Sequence, residues 1–294
     1  MSSIALARKA QLGALWPGLV AALSFSGVDI LVKVVFASGM DVMTMVALRG
    51  LIVLPVMFVW LRLRPPLERH THRQRLIAWA IGLLFAGTQY GLFMAISLLP
   101  VSIAILAYFV YPLLTGIGGG ITGVDRLGWP ALLTALTAFL GLTLMLGAEY
   151  RNLSGLGIIW ALVAAGLRTV SLLMTRAYLN GTDARMTTWY SMVPSTLLFA
   201  IGTVVAANWR VPHSVPGWSA FAGSGVCSTL STLLVYVSTN RVGPFRTAFI
   251  MNLEPLVTTI LSLLLLQEML TPPQAAGAVM MLMSLGAFQF VRAR

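Results

Sequence analysis

The sequence predicts an all-α polytopic membrane protein, with ten transmembrane helices arranged as two inverted five-helix repeats. Two observations carry that prediction: an apolar composition divided into ten membrane-length runs, and a match between the two halves at one constant offset. Of the 294 residues, 58% are hydrophobic and only 9% are charged. A soluble domain usually holds about 25% charged residues. Mean hydropathy is +0.89. Each membrane-crossing helix needs about 20 apolar residues, so ten of them use roughly 200 and leave short connections.

The runs lie near 13–36, 43–61, 76–97, 101–120, 128–147, 155–176, 187–207, 217–239, 244–266 and 274–291. The first follows Arg8-Lys9, is too long for a signal-peptide core, and contains Asp29 and Lys33. The second carries Arg49 and ends at Arg62 and Arg64. The third bears Gln89, Phe93 and Ser97 at four-residue spacing, one face of a helix. The fourth holds Tyr108, Tyr111-Pro112, Thr115 and Gly116, and the fifth opens at Trp129-Pro130. The sixth carries Arg168, and the seventh begins after Arg185. In the eighth, which includes Cys227, the stripe Thr232, Tyr236 and Asn240 repeats the spacing of the third. The ninth contains Glu254-Pro255, and the tenth follows Pro272-Pro273.

Ten spans place both ends of the chain on one side. On that side fall Arg8, Lys9, Arg62, Arg64, Arg69, Arg73, Arg75, Arg126, Arg176, Arg185, Arg241, Arg292 and Arg294. The opposite loops hold Arg151 and Arg210. Lysine and arginine bias sets orientation, so both termini are expected in the cytoplasm. The same bias accounts for most of the net charge of +11 and removes the need for a nucleic-acid partner. Trp16, Trp60, Trp79, Trp129, Trp189, Trp209 and Trp218 sit near span ends, where indoles anchor at the headgroup level.

Pro112 and Pro255 lie 143 positions apart (255 − 112), and the same offset aligns Leu19–Ala22 with Leu162–Ala165. It also aligns Met43-Thr44 with Met186-Thr187, Lys33 with Arg176, Asp125 with Glu268 and Pro130 with Pro273. The two modules are 1–147 and 153–294. Five spans per module is odd, so the second enters the membrane upside down, the plan on which many secondary transporters are built.

The run Glu254-Pro255-Leu256, then Gln267-Glu268-Met269-Leu270, Pro273-Gln274, Gly277 and Gly286, resembles the C-terminal repeat of the EamA family of the drug/metabolite transporter superfamily. Tyr111-Pro112-Leu113 through Asp125-Arg126-Leu127 to Gly141 and Gly147 resembles a diverged first copy. Within that family the chain is most similar to bacterial exporters of aromatic and other amino acids. The resemblance implies a multi-pass protein of the inner membrane that exports small metabolites, aromatic and other neutral amino acids among them. The first copy departs from symmetry, with Tyr111 where the second has Glu254.

Charges inside the spans mark candidate function. Lys33, Arg49 and Arg246 lie within about two turns of a span end and can snorkel. Asp29 and Lys33, four apart, could pair on one face, with Asp29 a second candidate for a charge relay. Arg168 and Glu254 lie deep, where a charge costs roughly 2.5–3.5 kcal/mol on insertion scales. Arg168 would hold a substrate carboxylate and Glu254 the amine or a coupling proton; alternatively the two form a buried pair that fixes packing. Gln89, Phe93, Tyr108, Tyr111, Thr232 and Tyr236 would line a polar, aromatic cavity for a small amphipathic solute, or else glue helices together. Pro112, Pro255 and Gly116 are hinge candidates.

An enzyme is disfavoured. The three histidines fall in loops or at a span edge, and neither a metal-ligand cluster nor a phosphate-binding loop occurs, so no metal or cofactor is expected. Gly223-Ser224-Gly225 lacks a histidine in the spans to act as base. Two rivals persist: an exporter of cationic drugs, and a passive channel. The expected partners are a small-molecule substrate and the lipid bilayer, and nothing in the sequence demands more than a monomer.

Overall fold

A computed structural model describes residues 3–66, 68–99, 101–125, 128–146, 154–207, 209–266 and 271–288. Among them are twelve helices. The first three are α1 (Ser3–Ala37), α2 (Val42–Leu63) and α3 (His72–Leu98). Then come α4 (Val101–Tyr108), α5 (Tyr111–Thr122), α6 (Trp129–Leu146) and α7 (Gly155–Tyr178). The chain continues through α8 (Ala184–Val205), α9 (Val215–Val242), α10 (Pro244–Ile250), α11 (Leu253–Leu266) and α12 (Pro272–Phe288). Seven stretches are long and apolar enough to cross a membrane, the fourth of them running from Ile103 to Thr122 over α4 and α5. At 18 and 17 residues, α6 and α12 are shorter; 18 residues still rise about 27 Å, close to the hydrocarbon thickness.

Twelve helices arise from ten runs because the fourth and ninth are each broken in two. The breaks are single tightened turns: Val110 N donates to Ala107 O at 3.4 Å, and Asn252 N to Phe249 O at 3.1 Å. Asn252 Nδ2 also donates to the Phe249 carbonyl, 3.1 Å away, so the polar backbone freed by the break is satisfied inside the protein. Pro112 and Pro255 fall in the first turns of α5 and α11. There a missing N–H costs nothing, so each proline opens a new helix rather than kinking a continuous one.

The helices gather into two compact units, Met1–Ala86 with Tyr178–Val242, and Gly87–Ala177 with Gly243–Arg294. Each unit draws on both halves of the sequence. In the first, α1 packs on α9 with Gly27 against Cys227 and Gly223 against Leu31, and α2 packs on α8 with Gly50 against Thr196 and Gly202 against Met43. Its apolar centre includes Met45, Val46, Phe199 and Phe221. In the second, the end of α3 packs on α7, with Leu99 against Gly157 and Gly87 against Leu167. Tyr111 OH donates to Ala248 O at 3.4 Å, joining α5 to α10.

In each of these helix pairs with two such contacts the residue numbers run in opposite senses, so the partners are antiparallel. Two pairs, α2 with α8 and α6 with α12, join helices that the 143-residue offset aligns. On α6 and α12 the contacts themselves exchange under that offset. Gly141 meets Gly277 and Thr134 O accepts from Ser284 Oγ, while 134 + 143 = 277 and 141 + 143 = 284. Ala131, Ala135 and Ala138 continue the small-residue seam, which lets backbones approach closely in lipid, where packing replaces the hydrophobic drive.

A Cβ on Gly277 would fall 2.4 Å from both Gly141 O and Met145 N, whereas nothing lies within 4 Å of Gly286. Gly277→Ala is therefore expected to destabilise by about 1–3 kcal/mol through overpacking. Gly286→Ala gains up to about 1 kcal/mol of helix propensity. Thermal melting of both variants in detergent checks this; midpoints that move together would show that the α6–α12 seam is loose.

Candidate functional site

The two helix breaks, both in the second unit, lie near four of the residues singled out by sequence. Tyr108 closes α4 and Tyr111 opens α5, with ring centroids 5.2 Å apart and Phe109 packed on both. On α7, Arg168 is 8% exposed, and next to it Thr169 Oγ1 donates to Tyr111 O at 3.2 Å. Thr115 Oγ1 donates to the same carbonyl at 2.7 Å. Glu254 stands in the first turn of α11, where the positive end of the helix dipole favours a carboxylate. The charges of Arg168 and Glu254 both act on Tyr108 and Tyr111, so the arginine and the carboxylate share one neighbourhood. Gln89 and Phe93 belong to the same unit and are half-buried.

Thr232 and Tyr236 belong to the first unit, where they line a different cavity. Its walls include Arg49 and Gly50 from α2, Phe85 from α3, Ser191, Ser195 and Thr196 from α8, and Ser228 from α9. The open space is about 20 Å³, room for one water or one small polar group. Tyr236 OH donates to Ser191 Oγ at 2.9 Å, and Ser191 Oγ donates to Thr188 O at 3.1 Å. Thr232 Oγ1 donates to Ser228 O at 2.8 Å. These three hydroxyl protons therefore point at protein oxygens.

Arg49 departs from the sequence expectation of a snorkelling side chain, for it is only 7% exposed. Asp41 caps α2 by accepting from Met43 N and Thr44 N, which sets Arg49 two turns in. Its stem passes Gly225, where a Cβ would meet Arg49 Cγ at 3.6 Å, so α9 closes over it. Among the described residues, no carboxylate pairs with Arg49. Sequence reasoning also misses Ser191, Ser195 and Ser228. The signal is present: 191 and 195, and 228, 232 and 236, recur at four-residue spacing and so share helix faces.

The other residues that the sequence singles out fall as follows. Asp29 is half-buried on α1, while the side chain of Lys33 lies outside the described residues, as do those of Ser97 and Glu268. Gly116 is buried on α5, where a Cβ would press on Phe245 and Leu132 at 2.8 and 2.9 Å; it is a close-approach position. Trp16, Trp60, Trp79, Trp129, Trp209 and Trp218 are all exposed, as residues facing lipid headgroups would be.

A buried polar break in the second half of the chain coincides with the family resemblance that sequence comparison detects. Residues 155–288 match the EamA-like transporter family. That EamA-like stretch covers α7 to α12, including Arg168 and Glu254. Over 210 residues the chain is 26% identical to an uncharacterized transporter of Synechocystis sp., a match that takes in 68% of this chain and 62% of that relative. A protein of known crystal structure superposes with a TM-score of 0.80 at 17% identity, over 95% of this chain and 99% of its own. At that identity the likeness establishes the fold.

The loop before α3 and the start of α8 make a second polar feature in the first unit. An open depression of about 470 Å³ is lined by Glu68, Arg69, His70, Gln74, Asp183 and Arg185, among others. Asp183 caps α8, accepting from Arg185 N at 2.8 Å, and pairs with the Arg185 guanidinium at 2.6 Å. His70 is 2% exposed. Its Nε2 lies 3.1 Å from Thr187 Oγ1, its ring sits 5.9 Å from that of Tyr190, and its carbonyl accepts from Arg75 Nε at 3.0 Å. Burial pushes the His70 pKa down from its usual 6.5, Asp183 opposes the shift, and Arg75 adds to it.

Neutral His70 is thus built into the fold. Above pH 6.5 folded and unfolded chains are both neutral there, and below it the unfolded chain takes up the proton first. Stability is therefore lost as pH falls through 6.5 toward the lower folded value. Asp183 works in another window: burial would raise its pKa, but hydrogen bonds and charge from Arg185 hold it below the usual 3.8, so its contribution persists until far more acid pH. The thermal midpoint is expected to drop between pH 7.5 and 5.5, and His70→Gln, which keeps a partner for Thr187, to remove most of that drop. An unchanged slope in the variant would place the sensitivity elsewhere.

Proposed function

We propose that the chain is a secondary transporter that moves small metabolites, amino-acid-like solutes foremost, out across the inner membrane by alternating access between inverted modules 1–147 and 153–294. The observation that carries this reading is the paired break of the fourth and ninth runs. Two runs aligned by the 143-residue offset are interrupted within one residue of the same register, and each break brings polar or charged groups into an otherwise apolar span. Discontinuous spans of this kind hold substrate in transporters with inverted repeats. The antiparallel packing of offset-matched helices supports the inversion. The EamA-like match over residues 155–288 and the transporter named in Synechocystis support transport as the activity. The basic-residue bias supports cytoplasmic termini.

In this mechanism Tyr108, Tyr111, Arg168 and Glu254 form the polar centre of one unit, with Gln89 and Phe93 beside it in sequence and unit. Glu254 receives a substrate amine or a coupling proton from the first turn of α11, where the helix dipole favours a carboxylate. Pro112, Pro255 and Gly116 bound the segments that move. A carrier must expose this centre to one side at a time, which a passive channel need not.

Counterflow in proteoliposomes tests the proposal. Vesicles preloaded with unlabelled neutral amino acids should transiently concentrate the labelled species, and Glu254→Gln at equal expression should cut that flux about 10- to 100-fold, the loss of one hydrogen bond to a charged group. Simple equilibration without overshoot would identify a pore, and wild-type flux in the variant would remove Glu254 from the mechanism.

A further inference from the structure

The Arg49 cavity carries a conclusion about what the solute must bring with it. Arg49 is 7% exposed and lines the space together with Ser191, Ser228, Thr232 and Tyr236. None of the lining residues is acidic, and among the described residues no carboxylate pairs with the guanidinium. A planar guanidinium presents five donors that suit a carboxylate held by two of them. Three of the hydroxyls around it, on Ser191, Thr232 and Tyr236, already donate elsewhere, leaving their oxygen lone pairs and a cation as unspent chemistry. An ionisable group buried in a membrane bundle marks a substrate or ion path by default. The small open volume of about 20 Å³ admits a headgroup rather than a whole solute.

From this we infer that Arg49 anchors the carboxylate of an organic monoanion, and that the cavity reads the acid without reading an amine. The inference rests on the transporter reading for its meaning but not for its geometry. It moves the role of acid anchor from Arg168, which shares its surroundings with Glu254, to an arginine that has no described carboxylate beside it. An ammonium group would meet Arg49 as a like charge, and an uncharged amide would leave the buried cation uncompensated. Free amino acids are accepted only if their amine stays outside this cavity, so N-acylated acids serve as well as free ones.

Three probes of one shape separate the possibilities: phenylacetate, phenylacetamide and phenethylamine, with acetate and acetamide as smaller controls. Binding to the purified full chain in detergent is read by thermal shift and calorimetry, and flux by counterflow. The wild-type protein is expected to bind phenylacetate roughly tenfold or more tightly than the amide or amine. Arg49→Met abolishes that preference, and Arg49→Lys keeps the sign of it. Equal binding of the amide or amine to wild type, an acid preference that survives Arg49→Met, or no response to either acid overturns the inference. Complete displacement by equimolar chloride also overturns it, since the site would then belong to an inorganic ion. The wild-type comparison needs no variant to fold. Acid binding that depends on Arg49 without any flux would sink the transporter reading and leave the anion site standing, whereas counterflow of an amine with no acid preference would do the reverse.

Discussion

Burying a positive charge among apolar helices is the costliest thing this chain does, and the rest of the architecture answers to it. A guanidinium at membrane depth must find hydrogen-bond acceptors, an opposite charge or water. Around Arg49 the chain places small and hydroxylated side chains on three helices: Gly50 on its own helix, Ser191 and Ser195 on α8, Ser228 and Thr232 on α9. Small residues let those helices come close enough to cover the stem, and their hydroxyls add a few polar atoms to a wall that Val46, Phe85 and Met192 keep mostly apolar. The same sparing use of bulk recurs at Gly141 and Gly277, where no charge is involved and backbone meets backbone directly. In lipid, apolar side chains gain nothing by turning inward, so close packing and polar contacts replace the burial that drives association in water.

Broken helices follow from the same constraint. A continuous helix satisfies its own backbone and presents only side chains. The breaks after Tyr108 and after Ile250 release backbone groups, and the structure re-satisfies them at once. At the second break the Phe249 carbonyl accepts from Asn252 through backbone and side chain, and beside the first Tyr111 O takes side-chain hydrogen bonds from Thr115 and Thr169 that tie α5 to α7. A break so thoroughly supported is a built feature of the fold, and it turns Glu254 from a mid-helix liability into a carboxylate at a helix start.

Much of this is legible in the sequence, and the failures have physical causes. Apolar length and the 143-residue offset locate the runs to within a few residues, because hydropathy over 20 residues is a strong signal. The breaks are not legible as breaks: Pro112 and Pro255 read equally well as kinks, since proline suits both a bend and a first helical turn. Arg168, Glu254, Tyr108 and Tyr111, which register and depth single out, lie close enough for the two charges to act on both phenols. Arg49 is misjudged because depth along a helix says nothing about which face a residue occupies. Each compact unit mixes helices from both halves, with Gln89 and Phe93 in one and Thr232 and Tyr236 in the other. Covalent repeats predict matching helices; they do not predict which helices gather.

The two buried arginines therefore differ in kind. Arg168 lies where its charge and that of Glu254 both act on Tyr108 and Tyr111, so a carboxylate of the chain itself shares its surroundings. Around Arg49, burial is what acts on the guanidinium among the described residues, and the neighbouring hydroxyls supply dipoles but no charge. Dipoles offset only part of the desolvation of a full charge. A site left in that condition is stabilised by an entering anion where the pairing and hydrogen bonds outweigh the water that both charges lose. An arginine compensated from within suits a role in holding helices or tuning a proton. An arginine compensated from outside suits recognition, because its stability depends on what is bound.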